Sequence, residues 1–535
     1  MTEECGNTLA SAGESSSEAL VLTRKQFAGT ILGLQLILLL AALDQTIITT
    51  AMPRIVADLG GFTEYAWATT SYLLTSTIAV PVFGRLSDIY GRKPLLLGGT
   101  ALFVVASVFC GCAGWTSAID SMTALIIARA FQGLGGGIML GLIFTVIADM
   151  LAPADRGRYQ GHFAAVFALA SIAGPTLGGW VADQLSWRWL FFINVPVGAL
   201  AMLVFWRSFP GALVKKQQID LDIAGIAAFC ATLVPLLLGL SWLSQYTWSS
   251  PQLFITLPFA ALMCCAFIFI ELKARDPLLP LSLFSRSVMA ICSISLFVTG
   301  IGMFGSVLLI PLFLQSVVGV SAALSGALLS PLIITVAVAS VIGGLILSRK
   351  KQYKALILFS LLLQTVGTFQ LSKISAESHL TYILAFMLVV GAGMGLLLPV
   401  YTIVIQNSVA QEEVGTVTGF SQFFRSIGGT VGVALFGSLM LGSYHHELNK
   451  LLPPSLPPQT LAALANPLAP AKMKAQLMAI DPHVAATLFD HVRQALVVSI
   501  DGVFSIYAGA LAITLILTLW LEEKPLRSAN ATVGL

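Results

Sequence analysis

Charge is what this sequence has least of. Only 10% of its 535 residues are Asp, Glu, Lys or Arg, where soluble domains carry about a quarter. That shortage excludes a water-soluble enzyme. The net charge of +3 is spread over loops, which excludes a nucleic-acid surface as well. Cysteine is scarce too: Cys5 lies in the N-terminal tail, and Cys110, Cys112, Cys230, Cys264, Cys265 and Cys292 fall in or beside apolar segments. Their spacing fits neither a disulfide framework nor a zinc site, so they read as small packing residues. Metal triad, nucleophile elbow and phosphate loop are all missing, which leaves no enzyme chemistry and no cofactor to expect. No cleavage site follows the first apolar run, so that run reads as an uncleaved signal-anchor helix.

What the chain has instead is apolar length. With 57% hydrophobic residues it reads as an all-α polytopic membrane protein. Fourteen runs are long enough to cross a bilayer: 26–52, 65–83, 94–114, 123–147, 161–182, 189–207, 221–241, 252–271, 289–313, 322–347, 355–371, 380–404, 416–441 and 500–521. An even number places both termini on one side. With a cytoplasmic N-terminus, nineteen of the 28 Lys and Arg residues face inward, seven face outward, and two (Arg129 and Arg425) lie inside spans. The positive-inside bias therefore predicts cytoplasmic N- and C-termini in a cell membrane.

The runs group into a cytoplasmic disordered tail (1–25), a six-helix bundle (26–207), basic linkers with two extra helices (208–288), a second six-helix bundle (289–521) and a cytoplasmic tail (522–535). The external segment 442–499 is too long for a plain connector. Its apolar positions between Leu477 and Val498 predict short helices over the outer face.

A short charged turn, Gly84-Arg85-Leu86-Ser87-Asp88-Ile89-Tyr90-Gly91-Arg92-Lys93-Pro94, separates the second and third runs. Asp88 falls at a helix C-terminus, where the helix dipole disfavours an anion. It needs a partner, and Arg92 is the nearest candidate. Asp149, at the inner end of the fourth span, faces the same water layer. Asp88, Arg92 and Asp149 together read either as a cytoplasmic latch or as solvated surface charges. A faint second copy, Gly343-Gly344-Leu345-Ile346-Leu347-Ser348-Arg349-Lys350-Lys351, follows the tenth run. It keeps the cations and has Leu347 where Asp88 stands.

The spacing G-x-L-x-D-x-x-G-R-K resembles the loop motif between helices two and three of the major facilitator superfamily. Leu43-Asp44-Gln45-Thr46-Ile47-Ile48, ending in Met52-Pro53, resembles the first-helix motif of its drug:proton antiporters. Arg129-Ala130-Phe131-Gln132-Gly133-Leu134-Gly135 and Gly174-Pro175-Thr176-Leu177-Gly178-Gly179 resemble their fourth- and fifth-helix motifs. Trp187-Arg188-Trp189-Leu190-Phe191-Phe192-Ile193-Asn194-Val195-Pro196 resembles the start of helix six in the fourteen-helix branch. The resemblance implies the major facilitator fold, two six-helix halves plus two extra linker helices, and multidrug efflux with antibiotic resistance. It also implies a hinge or leak-sealing role for the glycines of the antiporter motif.

Without any family, the residues still point to a site. A carboxylate inside an apolar span costs roughly 3 kcal/mol, and burial favours its neutral form, so Asp44 is a proton-binding candidate. It lies about eight residues below the outer end of span 1, and Arg129 about six residues below that of span 4. At about 1.5 Å per residue the depths agree within a turn. The two are either a permanent packing pair or a proton site read by Arg129. Gly133 and Gly137, like Gly174 and Gly178 with neighbouring Gly179, let a neighbouring helix approach closely, and Pro175 is expected to bend span 5. Gln132 and Arg425 are the candidate cavity residues. Arg425 has no acid at matching depth, so it either snorkels to the inner interface or meets substrate or lipid headgroups.

The leading reading is a secondary transporter exporting lipophilic or cationic compounds in exchange for protons. The proton gradient serves as energy source. An exporter of one dedicated metabolite or lipid, anions included, is the alternative. The expected partners are a small lipophilic molecule, protons and membrane lipids, with no nucleic acid. A monomer is expected, with a periplasmic adaptor left open.

Overall fold

The structure is a computed structural model that describes residues 23–59, 65–115, 121–151, 153–210, 222–242, 250–279, 281–320, 322–375, 377–410, 413–451 and 482–526. Fourteen long helices make up those residues, with no strand among them. They are α1 (Arg24–Leu59), α2 (Tyr65–Tyr90), α3 (Arg92–Gly111), α4 (Ser121–Met150), α5 (Pro153–Gln184), α6 (Trp189–Ser208) and α7 (Ile223–Trp242). There follow α8 (Pro251–Lys273), α9 (Ser287–Phe313), α10 (Ala322–Lys350), α11 (Lys354–Leu371), α12 (Leu380–Asn407), α13 (Val414–Leu451) and α14 (Pro482–Thr518). Twelve are long and apolar enough to cross a membrane; the other two are α2 and α5. Hydroxyls dilute the apolar run of α2 at Thr69, Thr70, Ser71, Thr75, Ser76 and Thr77. Several of them bond back to their own helix or to α4, as Thr75 does to the Ala130 carbonyl at 2.7 Å.

Each expected span falls within or across one of these helices. The described ends of the segment 442–499 do not have the expected form. α13 runs on to Leu451 and α14 begins at Pro482, so both ends of that stretch continue spanning helices. The reason is amphipathic packing past the apolar run: Tyr444, Leu448, Leu488, Val492 and Leu496 are all buried in one cluster. The apolar positions around Leu488 to Val498 belong to α14 itself. Residues 452–481, and most of each expected terminal tail, lie outside the described residues.

The helices α1 to α6 pack on one another, and so do α9 to α14. The two groups meet along α2 with α13 and α5 with α10. α7 and α8 pair with each other, and α7 also lies against α2 and α13. Phe229 of α7 joins them by ring contacts to Phe267 of α8 and Phe423 of α13, at 5.4 and 5.3 Å. The expected turn over Gly84–Pro94 shrinks to Gly91, because α2 runs on to Tyr90 and α3 starts at Arg92; the end of the bundle that carries Gly91 is called the basic end, and the opposite one the far end.

Candidate functional site

Two polar clusters interrupt the apolar interior, one within the first six helices and one at the basic end. The first centres on Asp44, only 2% exposed on α1. Arg129 of α4, equally buried, donates from Nη1 to Asp44 Oδ2 at 2.7 Å. Gln132, one turn along α4, donates from Nε2 to Asp44 Oδ1 at 2.7 Å and to Ser107 Oγ at 2.7 Å. Its Oε1 accepts from Arg129 at 2.6 Å. Asn194 Nδ2 completes the set, 3.2 Å from both Asp44 Oδ1 and Ser107 Oγ. The Arg129 guanidinium stacks on the Tyr72 ring at 4.2 Å, and its Nε donates to the Ala68 carbonyl at 3.2 Å.

Asp44 and Arg129, expected at matching depth, are thus in direct contact. Gln132 lies against the carboxylate itself. Ser107, Asn194 and Tyr72 were not singled out from the sequence. Asn194 carried a signal all the same, as the one amide in the apolar stretch after Trp189. Ile193, just before it, keeps helical backbone angles (φ −60°, ψ −25°), so α6 runs on through this point. Asn194 turns its amide toward Asp44. The cluster holds one fixed cation, one carboxylate and neutral donors, so binding or losing one proton at Asp44 changes its net charge by one.

Close packing brings these helices together. A Cβ on Gly133 would strike the Tyr72 carbonyl, and one on Gly137 the Ser76 carbonyl, so α4 lies directly on the α2 backbone. Gly174 similarly admits Thr46 of α1, whose hydroxyl donates to the Ala170 carbonyl at 3.2 Å. Gly178 is buried, and α5 stays helical through Pro175 and Gly179. The side chains of those two lie outside the described residues.

At the basic end, Arg92 Nη1 is 2.5 Å from Asp88 Oδ1, and Arg92 Nε is 2.7 Å from Asp149 Oδ2. Ser87 Oγ accepts from Arg92 at 2.7 Å. Gly91, at φ +92°, makes the sharp turn between α2 and α3 in a conformation that favours glycine. Asp88 has a second partner that sequence reasoning missed. Its Oδ2 accepts from the Thr416 backbone N at 3.0 Å and the Thr416 hydroxyl at 2.8 Å. Thr416 stands in the first turn of α13, so the carboxylate opposes the end of its own helix while stabilised by the start of another. Gly84 fits against the Gly415 carbonyl and Gly419, and Gly415 leaves room for Asp88.

A further contact joins the groups nearby. Arg156, 2% exposed, donates to the Ala148 and Leu151 carbonyls at 2.7 and 2.8 Å. It also donates to Gln406 Oε1 of α12 at 3.0 Å. Arg425 is half-buried on α13, and no ion pair holds it among the described residues.

Residues 34–433 match the family model described as Major Facilitator Superfamily. The chain is 37% identical over 530 residues to the "Multidrug transporter protein MdtP" of Bacillus subtilis (strain 168), covering 95% of each.

The chain belongs to the major facilitator superfamily.

A second relative in this superfamily, "Multidrug resistance protein 3" of the same organism, is 36% identical over 420 residues, covering 78% of this chain and 80% of the relative. The solved proton:xylose symporter XylE shares the fold, with a TM-score of 0.61 at 14% identity, covering 93% of this chain and 97% of that one. A family of membrane transporters with efflux-pump relatives fits a chain of packed spanning helices. The chain is a transporter of the superfamily and not an enzyme.

Proposed function

We propose that this transporter exports lipophilic, often cationic molecules in exchange for protons, with Asp44 as the proton site. One observation carries the reading: a fully buried carboxylate whose partners are one cation and neutral donors. In an apolar interior a carboxylate survives ionised only while such partners hold it. Movement of Arg129, Gln132 or Asn194 during the transport cycle changes its proton affinity. A bound cation favours the ionised form and a proton the neutral one, so the two ligands compete through one charge, as linkage requires. The multidrug and efflux names of the relatives support the direction and the breadth of substrate. The charge count supports cytoplasmic termini in the cell membrane and puts the latch on the cytoplasmic side.

A second reading, export of a dedicated anion, is favoured by Arg425, which leaves the spans one cation in excess when Asp44 is ionised. The test uses purified protein in liposomes with an imposed pH gradient and a panel of dyes, together with substrate-induced proton release in detergent. Asp44→Asn keeps the shape and should lose both gradient-driven transport and proton release. Proton release equal to wild type would place the proton elsewhere and return Asp44 and Arg129 to a packing role. Transport of anions only, lost in Arg425→Ala, would favour the second reading.

A further inference from the structure

The two extra helices meet at the basic end in a second carboxylate pair that the antiport reading does not use. Asp222 stands just before α7 and caps it, its Oδ1 accepting the Gly225 amide at 2.7 Å. Glu271, in the last turn of α8 and 3% exposed, accepts the Leu279 amide on Oε2 at 3.0 Å. Each carboxylate has thereby spent one oxygen on backbone. The other two, Asp222 Oδ2 and Glu271 Oε1, are buried with no hydrogen-bond partner among the described residues. Both lie against the same face of Gly225, where a single added methyl would strike the pair. Glycine at that position is what lets the two oxygens face each other.

Two ionised carboxylates placed this way repel and are poorly solvated. One proton resolves both problems, since it removes a charge and supplies the donor that each oxygen lacks. A hard metal ion needs many more oxygen ligands, and no group of three or more metal-ligating side chains gathers among the described residues. Among the described residues the surrounding charges are few. Arg85, near the C-terminal end of α2, is near enough to attract Glu271. Lys273 lies instead over the Phe269 ring at 4.0 Å, Arg275 is exposed, and Asp276 and Glu413 are half-buried.

We propose that Asp222 and Glu271 bind one proton between them, forming a protonation site on the extra helices that is separate from Asp44. Loss of that proton to water raises the charge of the pair from one negative to two and strengthens its pull on Arg85. Arg85 is three residues from Asp88, and α7 packs on α2 and α13, the two helices that Asp88 ties together. The site therefore couples proton concentration at the basic end to the latch, whether or not Asp44 is the transport proton site.

Infrared difference spectroscopy of the purified full-length protein across pH tests this, in an Asp44→Asn background that removes the carboxyl of the proposed transport site; Asp88 is buried as well, so the assignment rests on the component that each further variant removes. A titrating carboxylic-acid C=O stretch should appear there. It should vanish on adding either Glu271→Gln or Asp222→Asn; asparagine still caps a helix, so the second variant keeps α7. A spectrum that loses no carboxylic-acid component in either variant, or no titrating band at all, overturns the shared proton. Thermal melts with added sodium, potassium, magnesium or calcium at fixed ionic strength address a cation instead. A stabilisation lost in both variants would assign the pair to that ion and overturn the proposal. In a Cys-free background, labelling of a cysteine placed at Tyr90, divided by the rate of a free thiol at the same pH, should speed up with pH when Glu271 is present and stay flat in Glu271→Gln. Equal pH dependence in both would overturn the coupling to the latch.

Discussion

The two seams that join the helix groups at the basic end are related by the internal repeat and are built differently. Along α2 and α13, Gly84 allows close approach, but the tie is electrostatic, from Asp88 to the first turn of α13. Along α5 and α10, Gly157 and Gly344 press backbone on backbone and Gly161 meets Val341. Leu347, in the position that corresponds to Asp88, is fully buried. The nearby polar tie runs from Arg156 to a neutral amide, Gln406. Water entering the first seam can solvate both Asp88 and the freed amides, so that contact can be exchanged. Parting the second seam releases only packed surface, for which water offers nothing in return. One seam is suited to switching and the other to holding geometry while its partner switches.

The largest effect should come from filling the geometric seam. Gly344→Leu drives a side chain into the Gly157 backbone, and overpacking of this kind costs about 1–3 kcal/mol. Transport should fall by roughly tenfold or more, since about 1.4 kcal/mol is a factor of ten, and cysteines on the seam should label faster. Wild-type labelling would show that the seam is looser than its geometry. Asp88→Asn comes next. A hydrogen bond to a charged group contributes about 1.5–3 kcal/mol, so the α2–α13 contact should open more often while thermal stability falls modestly. Thr416→Val removes the hydroxyl donor and keeps the amide, so about 1 kcal/mol is expected. Parity between these two variants would mean that the Asp88 charge adds nothing to the tie.

The smallest effect belongs to the far end, where Arg188 Nη1 is 2.6 Å from Asp58 and Trp187 Nε1 is 2.9 Å away. Hydrogen bonds from Arg188 and then Trp187 hold the Asp58 carboxyl below its ordinary value. A carboxyl lowered by folding stabilises the protein above its unfolded value, near 4, and that contribution is lost as pH falls through the lower folded value. For a half-exposed pair it is below about 1 kcal/mol. Melting curves of Asp58→Asn should show a slightly flatter acid limb than wild type, and an unchanged limb would show that the pair contributes nothing.

The hydropathy runs located the spanning helices because each had to bury its own backbone in an apolar setting. Asp44 and Arg129 were legible for the same reason, since ions stand out where ions are costly. Other partners left weaker traces. Ser107 and Thr416 are ordinary residues for their surroundings, and only the inter-helix register gives them a carboxylate to contact. Arg156 was one cation among nineteen on its expected side, with nothing in its neighbours to reveal that it is buried. The ends of α13 and α14 were misread because amphipathic helix continues where the apolar run stops.

The length of α13 has a mechanical consequence. At 38 residues and about 1.5 Å per residue it is roughly 57 Å long, nearly twice the hydrocarbon core of about 30 Å. Its first turn receives Asp88, its third and fourth turns carry the Phe423 contact to α7 and Arg425, and its last turns pack with α14. A rigid rod of that length, pivoting by about 10° at the Asp88 contact, sweeps its other end through about 10 Å. Release of one carboxylate can thus be geared into a displacement on the scale of a drug molecule at the opposite face. The same leverage runs in reverse, so a load on Tyr444 or Leu448 is felt at Asp88.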